Sequence, residues 1–120
     1  MNQHGKLNYV EFSAKDLAAT KDFFIEVFGW VFTDYGDSYT AFSDVGLDGG
    51  FYKASKSSLS KNGGALLVFY SVDLQATKAS ITEQGGEIVQ EIFEFPGGHR
   101  FHFTEPSGNE FAVWSEKPTA

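Results

Sequence analysis

Cysteine is absent from all 120 residues, which excludes disulfides, thiol nucleophiles and zinc–thiolate centres. Proline is scarce, at three positions against thirteen glycines, a balance that suggests short elements joined by tight turns. No apolar run approaches the ~20 residues that a membrane helix needs. The amino terminus shows no apolar signal region, so a cytoplasmic protein is the expectation. Basic residues are few: nine Lys and Arg against sixteen Asp and Glu give a formal net charge of -7. They are scattered rather than striped, which argues against nucleic acid or an anionic membrane as a partner. No glycine-rich stretch carries the following Lys and Ser or Thr of a phosphate loop, and no serine sits in a nucleophile elbow.

What the chain does have is an apolar fraction of 42%, enough for one core, and an aromatic share of 17% dominated by thirteen phenylalanines. It also has a repeat. Asp16-Leu17-Ala18-Ala19-Thr20-Lys21 returns as Asp73-Leu74-Gln75-Ala76-Thr77-Lys78, 57 residues on. At the same offset Phe12 falls on Phe69, Glu26 on Glu83 and Gly29 on Gly86, and Val10, Phe24 and Val31 meet Leu67, Ile81 and Ile88. Two copies of one supersecondary unit follow, each too small to be stable alone.

Alternation predicts a strand over Leu7–Ser13, with Val10 and Phe12 on one face and Tyr9 and Glu11 on the other. Asp16 is a plausible N-cap for a helix from Leu17 to about Phe28, which buries Leu17, Thr20, Phe24, Val27 and Phe28 and ends at Gly29. Strands are expected at Trp30–Asp34, Tyr39–Ser43 and Gly49–Ala54, closing a first unit over 7–54. Residues 55–64, rich in Ser, Lys, Asn and Gly, are expected to be a mobile linker. The second unit, 65–115, opens with Ala65–Ser71, so apolar that both faces are expected to be buried. Asp73 caps a second helix carrying Leu74, Thr77 and Ile81 and closed by Gly85-Gly86. Strands follow at Glu87–Phe93, Gly98–Thr104 and Glu110–Ser115, the last after the turn Pro106-Ser107-Gly108-Asn109. The fold class is α+β, a tandem βαβββ pair.

This arrangement resembles the vicinal-oxygen-chelate superfamily of glyoxalase I, the bleomycin-resistance proteins and the extradiol dioxygenases. The resemblance runs from Leu7 to Ser115. It rests on the D-L helix starts, on Phe23-Phe24 and Phe28-Gly29-Trp30, on Gly85-Gly86, and on Glu105-Pro106-Ser107-Gly108-Asn109 followed by Glu110-Phe111. It implies eight strands in curved sheets, helices on the convex faces, a cavity in each half, and usually a homodimer. It also implies a divalent metal held by first and last strands. Those positions correspond here to Tyr9, Leu66, Ala112 and one residue within Gly49–Lys53. Leu66 and Ala112 offer no donor, neutral Tyr9 is a poor one, and Gly49–Lys53 contains no His, Asp or Glu. No metal and no cofactor are expected there. His99 and His102, an odd offset apart on one strand, point to opposite faces and cannot grip one ion without a bulge.

Strand parity then lines the expected cavity with Tyr9, Glu11, Tyr70, Arg100, His102 and Trp114. Aromatic faces with a few charges suit a small organic molecule as partner, and Arg100 suits a carboxylate or phosphate. Glu11 beside His102 gives a catalytic alternative, a glyoxalase-like lyase or isomerase working by proton transfer or through a displaced metal. Glu11 paired with Arg100, with the aromatics as packing, is the plainer arrangement. A cavity filled by its own side chains is the third.

Overall fold

The computed structural model describes residues 2–116. Strand β1 (Tyr9–Ala14) leads into helix α1 (Leu17–Phe28), then β2 (Phe32–Asp34), β3 (Tyr39–Phe42) and β4 (Asp48–Lys53). After a single 3-10 turn at Ser60–Asn62 come β5 (Leu67–Tyr70), α2 (Leu74–Glu83), β6 (Glu87–Phe95), β7 (Gly98–Thr104) and β8 (Glu110–Glu116). The strands form two four-stranded sheets, in the orders β1-β4-β3-β2 and β5-β8-β7-β6, and neither sheet closes. Both parallel pairs, β1 with β4 and β5 with β8, are made by the strands that flank each unit. No helix among the described residues is long and apolar enough to cross a membrane.

Both helices start as their sequences dictate. The Asp16 carboxylate accepts the Ala19 amide at 3.0 Å, and Asp73 accepts that of Ala76 at 3.1 Å. Each caps a first-turn donor that has no helical partner. Helix α1 ends at Gly29, whose φ of 71° is the left-handed conformation that favours glycine. Trp30, expected in a strand, instead follows this cap. Its amide bonds to the Phe24 carbonyl at 3.2 Å and its ring stacks on Phe24 at 4.4 Å, so strand pairing waits until Phe32.

One aromatic core serves both units. Phe24, fully buried, lies 5.7 Å from the Phe51 ring of the first sheet and 5.4 Å from Phe111 of the second. Phe28 stacks on Phe69 at 4.2 Å and 6°. Phe12 meets Phe111 at 5.1 Å, and Phe23 meets Phe103 at 5.8 Å. Helix α1 therefore seals against both sheets, which is why neither half carries a core of its own.

Two expectations are corrected. Strand β5 is not buried on both faces: Leu67 and Phe69 turn toward the core, but Val68 is 44% exposed and Tyr70 50%. It is an edge strand paired on one side only, so the face turned away from the helices has no covering layer. Residues 55–64, expected to be loose, are bonded to the second unit. The Ser58 amide donates to Asn109 Oδ1 at 2.8 Å, the Glu110 amide to the Ser58 carbonyl at 2.8 Å, and the Ser60 amide to Glu110 Oε1 at 2.9 Å. Composition missed this because the anchoring bonds are polar and come from distant residues.

Candidate functional site

Along β7, Phe101 and Phe103 go into the core, so the alternate residues Arg100 and His102 lie on the opposite, open face of the second sheet. Trp114 pairs in register with Arg100 and Ala112 with His102 on β8, while Tyr70 on β5 pairs with Trp114. On the other side β6 supplies Phe93 opposite Arg100. Its pairing slips twice, between Ile88 and Gln90 and between Gln90 and Phe93. Such irregularities bend a strand, and this one ends with the Phe93 and Phe95 rings against the Arg100 side chain.

The Arg100 guanidinium carbon is 5.3 Å from the Phe93 ring centre and 5.6 Å from that of Phe95. This cation–π contact fixes the side chain's direction. Its Nε is buried without a hydrogen-bond partner, and among the described residues no carboxylate forms an ion pair with it. Val68, Phe95, Gly97, Arg100 and Trp114 enclose a trough of about 250 Å³.

Beside the trough stands a second polar pair. His102 Nδ1 lies 2.8 Å from Glu110 Oε2, and Glu110 is largely buried. Burial pushes the Glu110 carboxyl up, but hydrogen bonds from His102 and from the Ser60 amide and hydroxyl outweigh it, leaving the group below its usual range. An ionised carboxylate only accepts, so Nδ1 carries the proton of this bond. The far nitrogen, Nε2, is buried with no partner. His102 is not among the residues that line the trough; its ring is oriented by the carboxylate behind it and lies 5.8 Å from the Phe93 ring.

The residues expected to share one cavity therefore divide. Tyr70, Arg100, His102 and Trp114 lie together on the second sheet, the Tyr70 and Trp114 rings 5.2 Å apart. Tyr9 and Glu11 lie on the first. Tyr39 Oη donates to Glu11 Oε2 at 3.0 Å and is itself bonded to the Tyr9 hydroxyl. Tyr39 lies across Gly50, where a Cβ would fall 2.1 Å from its hydroxyl. Burial first, then the bonds to Tyr9 and Glu11, push the Tyr39 phenol well above its ordinary value. Glu11 thus bonds to neither Arg100 nor His102. β1 pairs with β4 and meets β8 through Phe12 and Phe111 on the core side, so their open faces carry separate networks. The sequence reading set Glu11 beside His102, where the structure has Glu110. It missed Phe95 by ending β6 at Phe93, and gave Tyr39 no place in the site, because the diagonal reach of Tyr39 across Gly50 depends on a register that the sequence does not show.

At the positions where the resemblance implies a metal, the residues present do not make a donor set. Leu66 and Ala112 are apolar, the Tyr9 hydroxyl is bonded to Tyr39, and Gly49–Lys53 adds no carboxylate or imidazole. Among the described residues no three His, Asp or Glu side chains are grouped to hold an ion. His99, facing Glu94 at 3.4 Å, is on the other side of β7 from His102. A separate apolar cleft of about 360 Å³ runs between the edge strands β1 and β5, lined by Val10, Phe12, Leu67 and Phe69 among others.

Two open four-stranded sheets, each built from a βαβββ unit and joined through one core, define an α+β protein of the glyoxalase fold. The sequence profile of the Glyoxalase/Bleomycin resistance protein/Dioxygenase superfamily matches residues 6–113, and the chain belongs to that superfamily. No curated protein matches it in sequence. Among solved structures it is similar to a glyoxalase/bleomycin resistance protein/dioxygenase family enzyme from Burkholderia phytofirmans PsJN, with 15% identity, 93% of this chain and 99% of that one covered, and a TM-score of 0.78. It is also similar to a glyoxalase-related enzyme from Fulvimarina pelagi (14%, 93% and 88%, 0.77). A lactoylglutathione lyase from Agrobacterium tumefaciens matches at 17%, 95% and 96%, and 0.69. At such identities the likeness is one of fold.

Proposed function

We propose that this protein binds a small organic molecule without a metal, in the aromatic trough on the open face of its second sheet. The observation that carries this reading is the unpartnered buried Nε of Arg100, held against Phe93 and Phe95 in a trough that Trp114 also lines. A buried donor or acceptor without a partner costs roughly 1–3 kcal/mol, a cost that a ligand's polar group would remove. At about 250 Å³ the trough lies below the ~300 Å³ at which drug-sized pockets begin, so its ligand has one or two rings. Two sheet edges left unpaired at β1 and β5 support assembly as a homodimer, which sedimentation at micromolar concentration would test.

The test of binding is a titration with one- and two-ring aromatic compounds followed by amide NMR, before and after EDTA. Shifts centred on Phe95, Gly97, Arg100 and Trp114 and indifferent to EDTA are expected. Shifts confined to the β1–β5 cleft, or binding lost on chelation, would defeat the proposal.

A second reading, a lyase or isomerase of the glyoxalase kind, is favoured by the His102–Glu110 pair. Glu11 is the base expected beside His102; here Glu110 stands there instead and orients the imidazole, leaving Nε2 to take a proton from a substrate and return it. Under this reading His102→Gln abolishes turnover while leaving ligand affinity within a few fold.

A further inference from the structure

Arg100 is the only arginine in the chain. It stands in a protein of net charge -7, yet none of the nearby carboxylates neutralises it. Glu110 is engaged by His102 and Ser60, Glu116 accepts from the Tyr70 hydroxyl, and Glu94 faces His99. A guanidinium drawn partly out of water, lying against two phenyl rings and left with a buried N–H unmet, is a donor fork awaiting an acceptor. We infer that the trough selects a planar organic monocarboxylate, its carboxylate on Arg100 and its ring against the surface that Trp114 and Phe95 form together. This rests on the binding reading above and specifies its ligand.

Three observations narrow the chemistry. The guanidinium fork matches a carboxylate bidentately, whereas a neutral amide would turn an NH₂ group toward it. No lysine and no helix end joins Arg100 in lining the trough, so a single positive charge faces the ligand. One charge suits a monoanion, and the surrounding negative field opposes a phosphate dianion. The rings of Phe95 and Trp114 pack edge to face, with centres 6.1 Å apart at 66°, forming an apolar corner on which a flat ligand can lie.

The experiment compares 2-naphthoate with 2-naphthamide by calorimetry near neutral pH and low salt, in wild type, Arg100→Met and Trp114→Ala. Naphthoate should bind the wild type about 10- to 100-fold more tightly than the amide, the worth of a charge-assisted hydrogen bond. Arg100→Met keeps an apolar stem against Phe93 and Phe95 and should erase that preference at unchanged melting temperature. Trp114→Ala should weaken both compounds alike. Equal wild-type affinities would overturn the carboxylate assignment while leaving aromatic binding intact. A preference that survives Arg100→Met would overturn the role of Arg100. No binding of either compound would overturn the inference together with the reading beneath it. Should Arg100→Met fail to fold, the wild-type comparison still decides the ligand class.

Discussion

Asn109 Nδ2 donates to the Ser13 carbonyl at 2.7 Å, tying the turn before the last strand to the end of the first, across the boundary between the two units. Its other amide hydrogen goes to Glu105 Oε2 at 2.7 Å, and its Oδ1 accepts the Ser58 amide at 2.8 Å. The side chain is fully buried and every polar atom of its amide is used. Asn109→Ala should therefore cost about 2–4 kcal/mol, since three partners lose a bond out of reach of water. Urea unfolding checks this; a loss within error would mean that water replaces the amide.

Phe24 is the ring through which α1 holds both sheets. It contacts Phe51 on one side and Phe69 and Phe111 on the other, with Trp30 stacked on it. Phe24→Ala should cost about 3–5 kcal/mol, the usual range for a buried phenylalanine. Because one core serves both units, a single cooperative transition should shift, rather than one half melting first. Calorimetry resolves the two cases.

Glu105 is buried beneath the same turn. Burial raises its carboxyl above the ordinary value, and hydrogen bonds from the Thr20 hydroxyl, the Ser107 and Asn109 amides and the Asn109 side chain only partly offset that. A carboxyl whose folded value is raised binds its proton more tightly in the native state. Its contribution is thus fully present below the unfolded value near 4.5 and is lost as pH rises through the folded one. Glu105→Gln does not titrate, so its deficit against wild type should be largest at acid pH and shrink toward neutrality. Paired urea titrations across that window read the trend; a deficit that grows with pH would reverse the assignment. Glu110, lowered by its partners, contributes with the opposite sign.

The repeat made much of the fold legible because it acts locally. Asp16 and Asp73 cap their helices in the same way, and the ion pair Lys21–Asp34 recurs as Lys78–Glu91 at the same 57-residue offset. Parity placed Arg100, His102 and Trp114 on one face for the same reason: a strand alternates whatever surrounds it. What pattern could not give was which sheet Glu11 would share. Equivalent positions have also diverged. Thr20 bonds to Glu105 and Ser107, whereas Thr77 bonds to Ser71. Likewise the curl of β6 depends on register slips, which leave no mark in hydrophobic periodicity.

The phenol network on the first sheet makes its own prediction. With Tyr39 raised by burial and by its bonds to Tyr9 and Glu11, and Tyr70 raised by its bond to Glu116, an alkaline absorbance titration should show late phenol ionisation, of which the Tyr39 share is the part that responds to changes on the first sheet. Tyr9→Phe and Glu11→Gln each remove one partner of Tyr39 and should bring its transition down. Gly50→Ala should act likewise, since a Cβ there lies 2.1 Å from the Tyr39 hydroxyl. A transition unmoved by all three variants would show that burial alone sets it.

The last prediction concerns metal. A divalent ion needs several oxygen or nitrogen donors converging at about 2.0–2.6 Å. At the superfamily's metal positions this chain presents Leu66, Ala112 and a tyrosine bonded to Tyr39. Even a displaced site built beside the trough would start with His102 Nε2 alone, because Glu110 is held by His102 and Ser60. EDTA should therefore leave the melting temperature and naphthoate affinity unchanged, and equimolar zinc, nickel or manganese should raise neither. Ligands that bind only the folded state stabilise it in proportion to RT ln(1 + [L]/Kd), so a tightly held ion could not escape this measurement. A fall of several degrees on chelation, restored by one of the three metals, would establish a metal centre and move the lyase reading ahead of metal-free binding.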